Sequence, residues 1–258
     1  MRFIYATDLH GNAESYEALL RQAVSSRADA VVLGGDLLTH DALPGQTAFM
    51  RSWLAPRLRR FHEAQPAIRV FGLLGNDDWG VLASDLEALE PEGALAYLHQ
   101  KAHPFGDNLW IAGSSFVPVT PFGMSDWDRL DAPRWQPPLK ARGPYFSTPG
   151  GIIEGTTAEL AGRAALEEAL ADLAKASTPA RTVYVLHTPP WGTKLDQVAG
   201  GKHIGSRAVR SFIERHQPPL ALHGHIHESP SVSGSIADTL GKGGKIEWRQ
   251  TKDARRTP

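Results

Sequence analysis

The stretch LALHGHIHES, residues 220–229, runs from three apolar residues straight into three histidines at alternate positions, His223, His225 and His227. A short apolar run of this kind reads as a buried strand, and imidazoles so closely spaced serve packing poorly, so the strand ends in a group able to hold a metal ion. Four other runs end the same way. Residues 3–6 give way to Asp8 and His10, residues 30–33 to Gly34-Gly35-Asp36, residues 70–74 to Gly75-Asn76-Asp77-Asp78, and residues 183–186 to His187. Strands alternating with helical patterns define an α/β layered fold, and in such sheets ligands gather at the C-terminal strand ends, where loops leave the core and side chains converge. Five separate segments are therefore expected to meet at one edge.

Between the strands, residues 13–24 and 47–61 carry the apolar spacing of helices. Thr156 to Glu159 reads as a capping box opening a helix that carries Leu160, Leu166, Leu170 and Leu173. Ser206, ahead of Val209, Phe212 and Ile213, opens another, which Gln217-Pro218-Pro219 closes. Beyond the histidines, residues 231–234 and 245–248 read as short edge strands, and 249–258 as a polar, frayed tail. One domain over residues 1–248 accounts for the pattern. Within it, residues 117–155 form a proline- and aromatic-rich insertion containing Phe122, Trp127, Trp135, Tyr145 and Phe146. It reads either as a lid over the site or as a wrap whose aromatics pack on the sheet edge.

Composition narrows the chemistry. A net charge of -1 over 258 residues gives no broad basic field, which disfavours a nucleic-acid binder working by phosphate neutralisation. With no cysteine, disulfides, iron–sulfur clusters and thiolate zinc sites are excluded, and His, Asp, Glu and Asn remain as donors. No apolar run approaches the ~20 residues of a membrane span, and the chain opens directly into a strand-like run, so a cytoplasmic protein without membrane partners is expected. Oligomeric state leaves no signal.

Taken together, Asp8, His10, Asp36, Asn76, His187, His225 and His227 are seven oxygen and nitrogen donors. They are too many for one tetrahedral ion and suit two five- or six-coordinate ions sharing a carboxylate. The mixed donor set favours two divalent Mn, Fe, Co, Ni or Zn ions over Ca.

In their order along the chain, Asp8-Leu9-His10, Gly35-Asp36, Gly75-Asn76-Asp77-Asp78, His187 and Gly224-His225-Ile226-His227 resemble the pattern of the calcineurin-like metallophosphoesterases: D-x-H, G-D, G-N-H-[DE], H and G-H-x-H. The resemblance implies a four-layer αββα sandwich, with helices outside two facing mixed β-sheets and a dinuclear site at the strand ends. The first ion would take Asp8, His10, Asp36 and His227, the second Asp36, Asn76, His187 and His225. Hydrolysis of a phosphorus ester would follow by in-line attack of a metal-bridging hydroxide, because two divalent ions offset the phosphate charge and lower the pKa of the shared water. The amide of Asn76 can bind metal and turn toward a phosphate oxygen without adding negative charge.

One position departs from the pattern. Asp77 stands where the family places a histidine that contacts the phosphate and helps the leaving group depart. A carboxylate there is repelled by phosphate unless it is protonated or turns away, so the expected substrate is a small-molecule or nucleotide phosphodiester, with one charge fewer than a monoester, or else an ester whose leaving group needs little protonation. The segment Gly201-Lys202-His203-Ile204-Gly205-Ser206 could supply the missing acid, with Lys202, His203 and the free amides of the next helix start forming an anion-binding nook. A plain glycine-rich turn is the other reading. His223 matches no ligand of the pattern and is expected to support a ligand by a hydrogen bond or to be structural. Trp79 and Trp191 either wall the pocket or pack on the sheet rim, and His40, His62, His99, His103 and His216 receive no role. A nuclease, and a metal-binding scaffold for protein interaction, stand as alternatives.

Overall fold

The computed structural model describes residues 1–106, 108–133, 140, 142–241 and 244–248. The five expected apolar runs all form strands. In the first sheet β1 (Phe3–Ala6), β2 (Ala30–Gly34), β3 (Arg69–Leu73) and β4 (Ala96–Tyr97) lie side by side in that order, parallel throughout. The second sheet contains β5 (Ala102–Pro104), β6 (Trp110–Ser114), β7 (Thr182–Leu186), β8 (Leu220–His223), β9 (Ala237–Leu240) and β10 (Gly244–Trp248). Its spatial order is β9-β10-β8-β7-β6-β5, with the four inner strands parallel and the two outer ones antiparallel to their neighbours.

Side chains alternate across a strand, and β7 shows what each face meets. Val183 and Val185 join the larger core, shared with Val31, Leu33, Phe71 and Leu73 of the first sheet. Tyr184 and Leu186 point the other way, into a second core closed by α4 (Leu166–Lys175) and α5 (Arg207–His216). On the outside of the first sheet, α1 (Ala13–Ser25) contributes Leu19, Leu20 and Ala23 to the larger core, as α3 (Ala55–Ala64) contributes Leu58 and Phe61. The layers thus run helix, sheet, sheet, helix, the αββα sandwich. Each fully buried Val or Leu contributes ~1.5–3 kcal/mol, which makes the two sheet faces the main source of stability.

Several boundaries differ from the sequence expectation, each for a local reason. The helix expected over 47–61 starts earlier, as α2 (Leu43–Phe49), and widens into a π-helical turn at Met50–Leu54 before α3. That turn falls just ahead of Pro56, which has no N–H to give the turn before it. After the Thr156 capping box, one helix becomes two: Thr157–Ala161 stops at Gly162, and the Glu168 carboxylate accepts from the Ala165 amide to open α4. The four expected leucines are buried. Residues 231–234 are not a strand, because Pro230 starts a one-turn helix, Ser229–Ser233, that Gly234 ends at φ 70°. Residues 245–248 lie in β10, which is paired on both sides rather than at an edge.

In the 117–155 insertion, Val117–Pro118 pairs with Asp128–Arg129, and Tyr145–Thr148 with Gly151–Glu154. Trp127 and Phe146 are buried, and the Trp127 indole donates to the Asp78 carbonyl at 2.7 Å. These aromatics are a wrap, whereas Phe122 stays exposed. Trp135 and the 249–258 tail lie outside the described residues. No helix among the described residues is long and apolar enough to cross a membrane.

Candidate metal centre

The loops leaving β1, β2, β3, β7 and β8 carry the expected donors to one place. Four donor residues, Asp8, His10, Asp36 and His225, adopt left-handed backbone at φ of 56°, 44°, 51° and 71°. Such conformations cost about 1–3 kcal/mol each and persist only when neighbours hold them. Here the holding bonds run between loops. Asp8 and His10 donate their amides to the carbonyls of Gly35 and Asp36 at 2.9 Å. The buried Asp78 carboxylate accepts from Leu37, Leu38 and Gly75 at 2.9, 2.7 and 2.8 Å, tying the loop after β2 to the loop after β3. Gly35, at φ 107°, lies so close to the His187 ring that any Cβ would collide with it.

The donors fall into two groups. Asp8, His10, Asp36 and His227 each offer one ligand atom, all within 4.8 Å of one another. Within that group the Nε2 atoms of His10 and His227 are 3.1 Å apart, and His227 Nε2 is 3.3 Å from Asp8 Oδ1. In the second group, Asn76 Oδ1 lies 3.1 Å from His187 Nε2 and 2.5 Å from His225 Nδ1. Asp36 reaches both, with Oδ2 at 3.9 Å from His10 Nε2 and 3.4 Å from His187 Nε2, as a shared carboxylate must. Asp8 Oδ2 is buried without a hydrogen-bond partner, a costly arrangement for a carboxylate unless a cation meets it. The residues therefore fit a pair of divalent ions.

Electrostatics agree with that fit. The His187 Nδ1–H donates to the Gly34 carbonyl at 2.9 Å, which turns Nε2 toward Asp36. Burial disfavours its charge, but Asp36 prevails and pushes His187 up to about 10. Burial works against Asp36 too, yet His187 and His10 hold its carboxyl well below the usual range. Burial pushes His10 and His225 down to about 4, which leaves them neutral ligands at physiological pH. A proton and a cation thus compete for His187 Nε2. His223 stands outside both groups: buried, it donates Nδ1–H to the carbonyls of Leu186 and Thr188 at 2.9 and 3.0 Å, bracing the chain on either side of His187.

Over the donors lies a cavity of about 720 Å³. Asp77 faces it and has not turned away. Its Oδ1 accepts from Asn76 Nδ2 at 2.9 Å, its Oδ2 lies 3.5 Å from His40 Nδ1, and burial together with Asp36 pushes it up to about 6. His40, unassigned from sequence, stacks on His10 at 4.1 Å and forms a cluster with His10 and Asp77. Its one sequence signal is a place four residues after Asp36, on the same loop. Lys202 lines the cavity, with Phe122 and Ile204 on its walls.

The expected anion nook needs correcting. His203 gives its Nδ1 to Asp196 at 2.7 Å, and its ring lines an adjoining pocket of about 270 Å³. The helix-start amides are not free: Arg207 and Ala208 donate to Asp131 Oδ2, and Val209 donates to Ser206 Oγ. A carboxylate remote in sequence has taken the helix N-terminus that a phosphate would use. Trp79 is buried in the core, while Trp191 faces the adjoining pocket.

A dinuclear centre at the strand ends of an αββα sandwich is the class of site defined here. The calcineurin-like phosphoesterase family matches residues 1–229, and the chain belongs to that family of dimetal-dependent phosphoester hydrolases. The fold is shared with TT1561 of Thermus thermophilus, at 16% identity and a TM-score of 0.57 over 96% of this chain and 89% of that one. A dimetal phosphatase from Danio rerio is similar at 13% identity and a TM-score of 0.50, over 97% and 87%. No curated protein matches the sequence.

Proposed function

We propose that the protein hydrolyses phosphodiesters of small molecules, nucleotide diesters among them, ahead of phosphomonoesters. The observation that carries this reading is the charge around the cavity, where Asp77 and Glu228 face a single lysine among the described lining residues, Lys202, and no arginine. A monoester brings two charges beside Asp77 and a diester one, and repulsion between close like charges scales accordingly.

Asp8, His10, Asp36 and His227 would hold one divalent ion and Asp36, Asn76, His187 and His225 a second, which would supply charge to offset the phosphoryl oxygens and the acidity that makes water a nucleophile near neutral pH. The remaining work falls to the chain. Asp36 spans the two groups and is itself fixed by the Asp77 amide, which donates to its Oδ1 at 2.9 Å. Lys202 meets a phosphoryl oxygen on the open side of the cavity. Pro118, Val119, Pro121 and Phe122 form an apolar wall that receives the leaving group and excludes water.

The test compares bis(4-nitrophenyl) phosphate with 4-nitrophenyl phosphate on manganese-reconstituted protein, with Asp36→Asn as the blank. The diester is expected to turn over faster. A clear advantage for the monoester overturns the preference.

A further inference from the structure

The pocket beside the metal cavity is walled by the same Pro118, Val119 and Ile204 that line the cavity itself, so one molecule can occupy both. Its polar groups are Arg129, Arg207, His203 and Asp131. The Arg207 guanidinium carbon lies over the Trp191 ring, 3.7 Å from its centroid, and the group makes no hydrogen bond or ion pair with any described residue. Asp131 feels its charge only at longer range, because both Asp131 oxygens are committed to the Ser206 hydroxyl and the amides of Arg207 and Ala208. Arg129 rests on the Phe116 ring at 3.8 Å and gives Nη1 to the carbonyls of Asp126 and Asp128, with no carboxylate paired to it among the described residues. Two guanidinium groups held in place by aromatic rings, in a pocket whose one carboxylate is already engaged, are a pre-organised receptor for an anion.

We propose that this pocket binds a second anionic group of the substrate hydrolysed at the metal centre. The substrate is then a phosphodiester carrying, beyond an apolar linker that crosses Pro118, Val119 and Ile204, a further phosphate or carboxylate that pairs with Arg207 and Arg129. The inference rests on the hydrolase reading above and narrows its substrate class.

Two dialkyl phosphinates separate the two ideas, since each carries one charge at phosphorus as a diester does, has no ester bond to cleave, and differs from the other only in one arm ending in a carboxylate or a methyl group. Titration calorimetry on the manganese-loaded protein is expected to show the carboxylate form binding about 10-fold tighter or better, as loss of one paired charge costs at least that much. Arg207→Ala should bring the two affinities together, and Arg207→Lys should restore part of the gap, because charge returns without the planar fork. Arg129→Gln should narrow the gap as well. Equal affinities in the unaltered protein, failure of both ligands to bind, or a gap that survives Arg207→Ala each overturn the proposal. Turnover of bis(4-nitrophenyl) phosphate, which needs no second anion, reports separately on the hydrolase reading.

Discussion

The two halves of the metal centre share Asp36 and use two imidazoles each but are built differently. Around His187 the donors belong to the core: the side chain is 0% exposed, its Nδ1 is tied to Gly34, and His223 braces the carbonyls on both sides. Around His227 the group opens to the surface through that one side chain: it is 43% exposed and leans on Asp8, which is buried, and on His10, whose buried Nδ1 has no partner. One half is closed by a side chain packed into the core, while the other is completed by His227, which contributes little to packing. The difference separates two properties that are usually lost together, metal binding and folding stability.

The largest effect is expected where the halves meet. Asp36→Asn keeps an oxygen for the Asp77 amide but removes the charge shared by both groups, so turnover should fall on the order of 10³-fold and bound metal well below two ions per chain, read by elemental analysis beside activity. A variant that retained both ions would break the assignment of Asp36 as the shared ligand. Next in size is the contrast itself. His187→Ala leaves a buried cavity and an unpaired Gly34 carbonyl, and is expected to cost about 2–4 kcal/mol in denaturant unfolding of the metal-free protein. His227→Ala should cost under about 1 kcal/mol, although both variants lose metal. Equal losses of stability would show that the halves are not built differently after all. Smaller again is Gly35→Ala, which combines left-handed strain with a clash against the His187 ring and should cost about 1–3 kcal/mol while leaving the His227 side untouched. A chemical-denaturation midpoint unchanged from the parent would remove Gly35 from the account.

The same contrast decides what could be read from sequence. The convergence of the seven candidate donors was legible because each follows an apolar run that only a buried strand explains, and because carboxylate, amide and imidazole at such positions have few other uses. β6 carries no donor and ends at Ser114-Ser115, so nothing marked it, though it pairs with β7 along five residues. Residues 231–234 misled because the alternation of Val232 with serines mimics a strand, whereas Pro230 and Gly234 set the local backbone. What escaped altogether depends on contacts across long stretches of chain. Asp131 caps α5 from 75 residues before Ser206, and its carboxylate, taken up by the Ser206 hydroxyl and the Arg207 and Ala208 amides, both closes the expected phosphate nook and leaves the Arg207 guanidinium unpaired beside Trp191. His40 likewise gains meaning only through its ring contact with His10, which no spacing rule announces.

Asp77 belongs to neither half. It hangs from Asn76 on the buried side and approaches His40 on the exposed one, so it tests substrate charge without disturbing the donors. Burial and Asp36 push it up to about 6, so at about pH 8 it carries its negative charge toward the cavity. Asp77→Asn removes that charge at nearly constant shape, and the amide oxygen can still accept from Asn76. Since one extra unit charge at ~4 Å costs about 1 kcal/mol even in water, the ratio of kcat/KM for 4-nitrophenyl phosphate to that for bis(4-nitrophenyl) phosphate should rise about 5-fold or more. Melting temperature should hardly move, because the side chain is partly exposed and its hydrogen bond persists. If the ratio stayed constant while both rates changed together, Asp77 would act on metal placement, and the diester preference would have to come from the apolar wall instead.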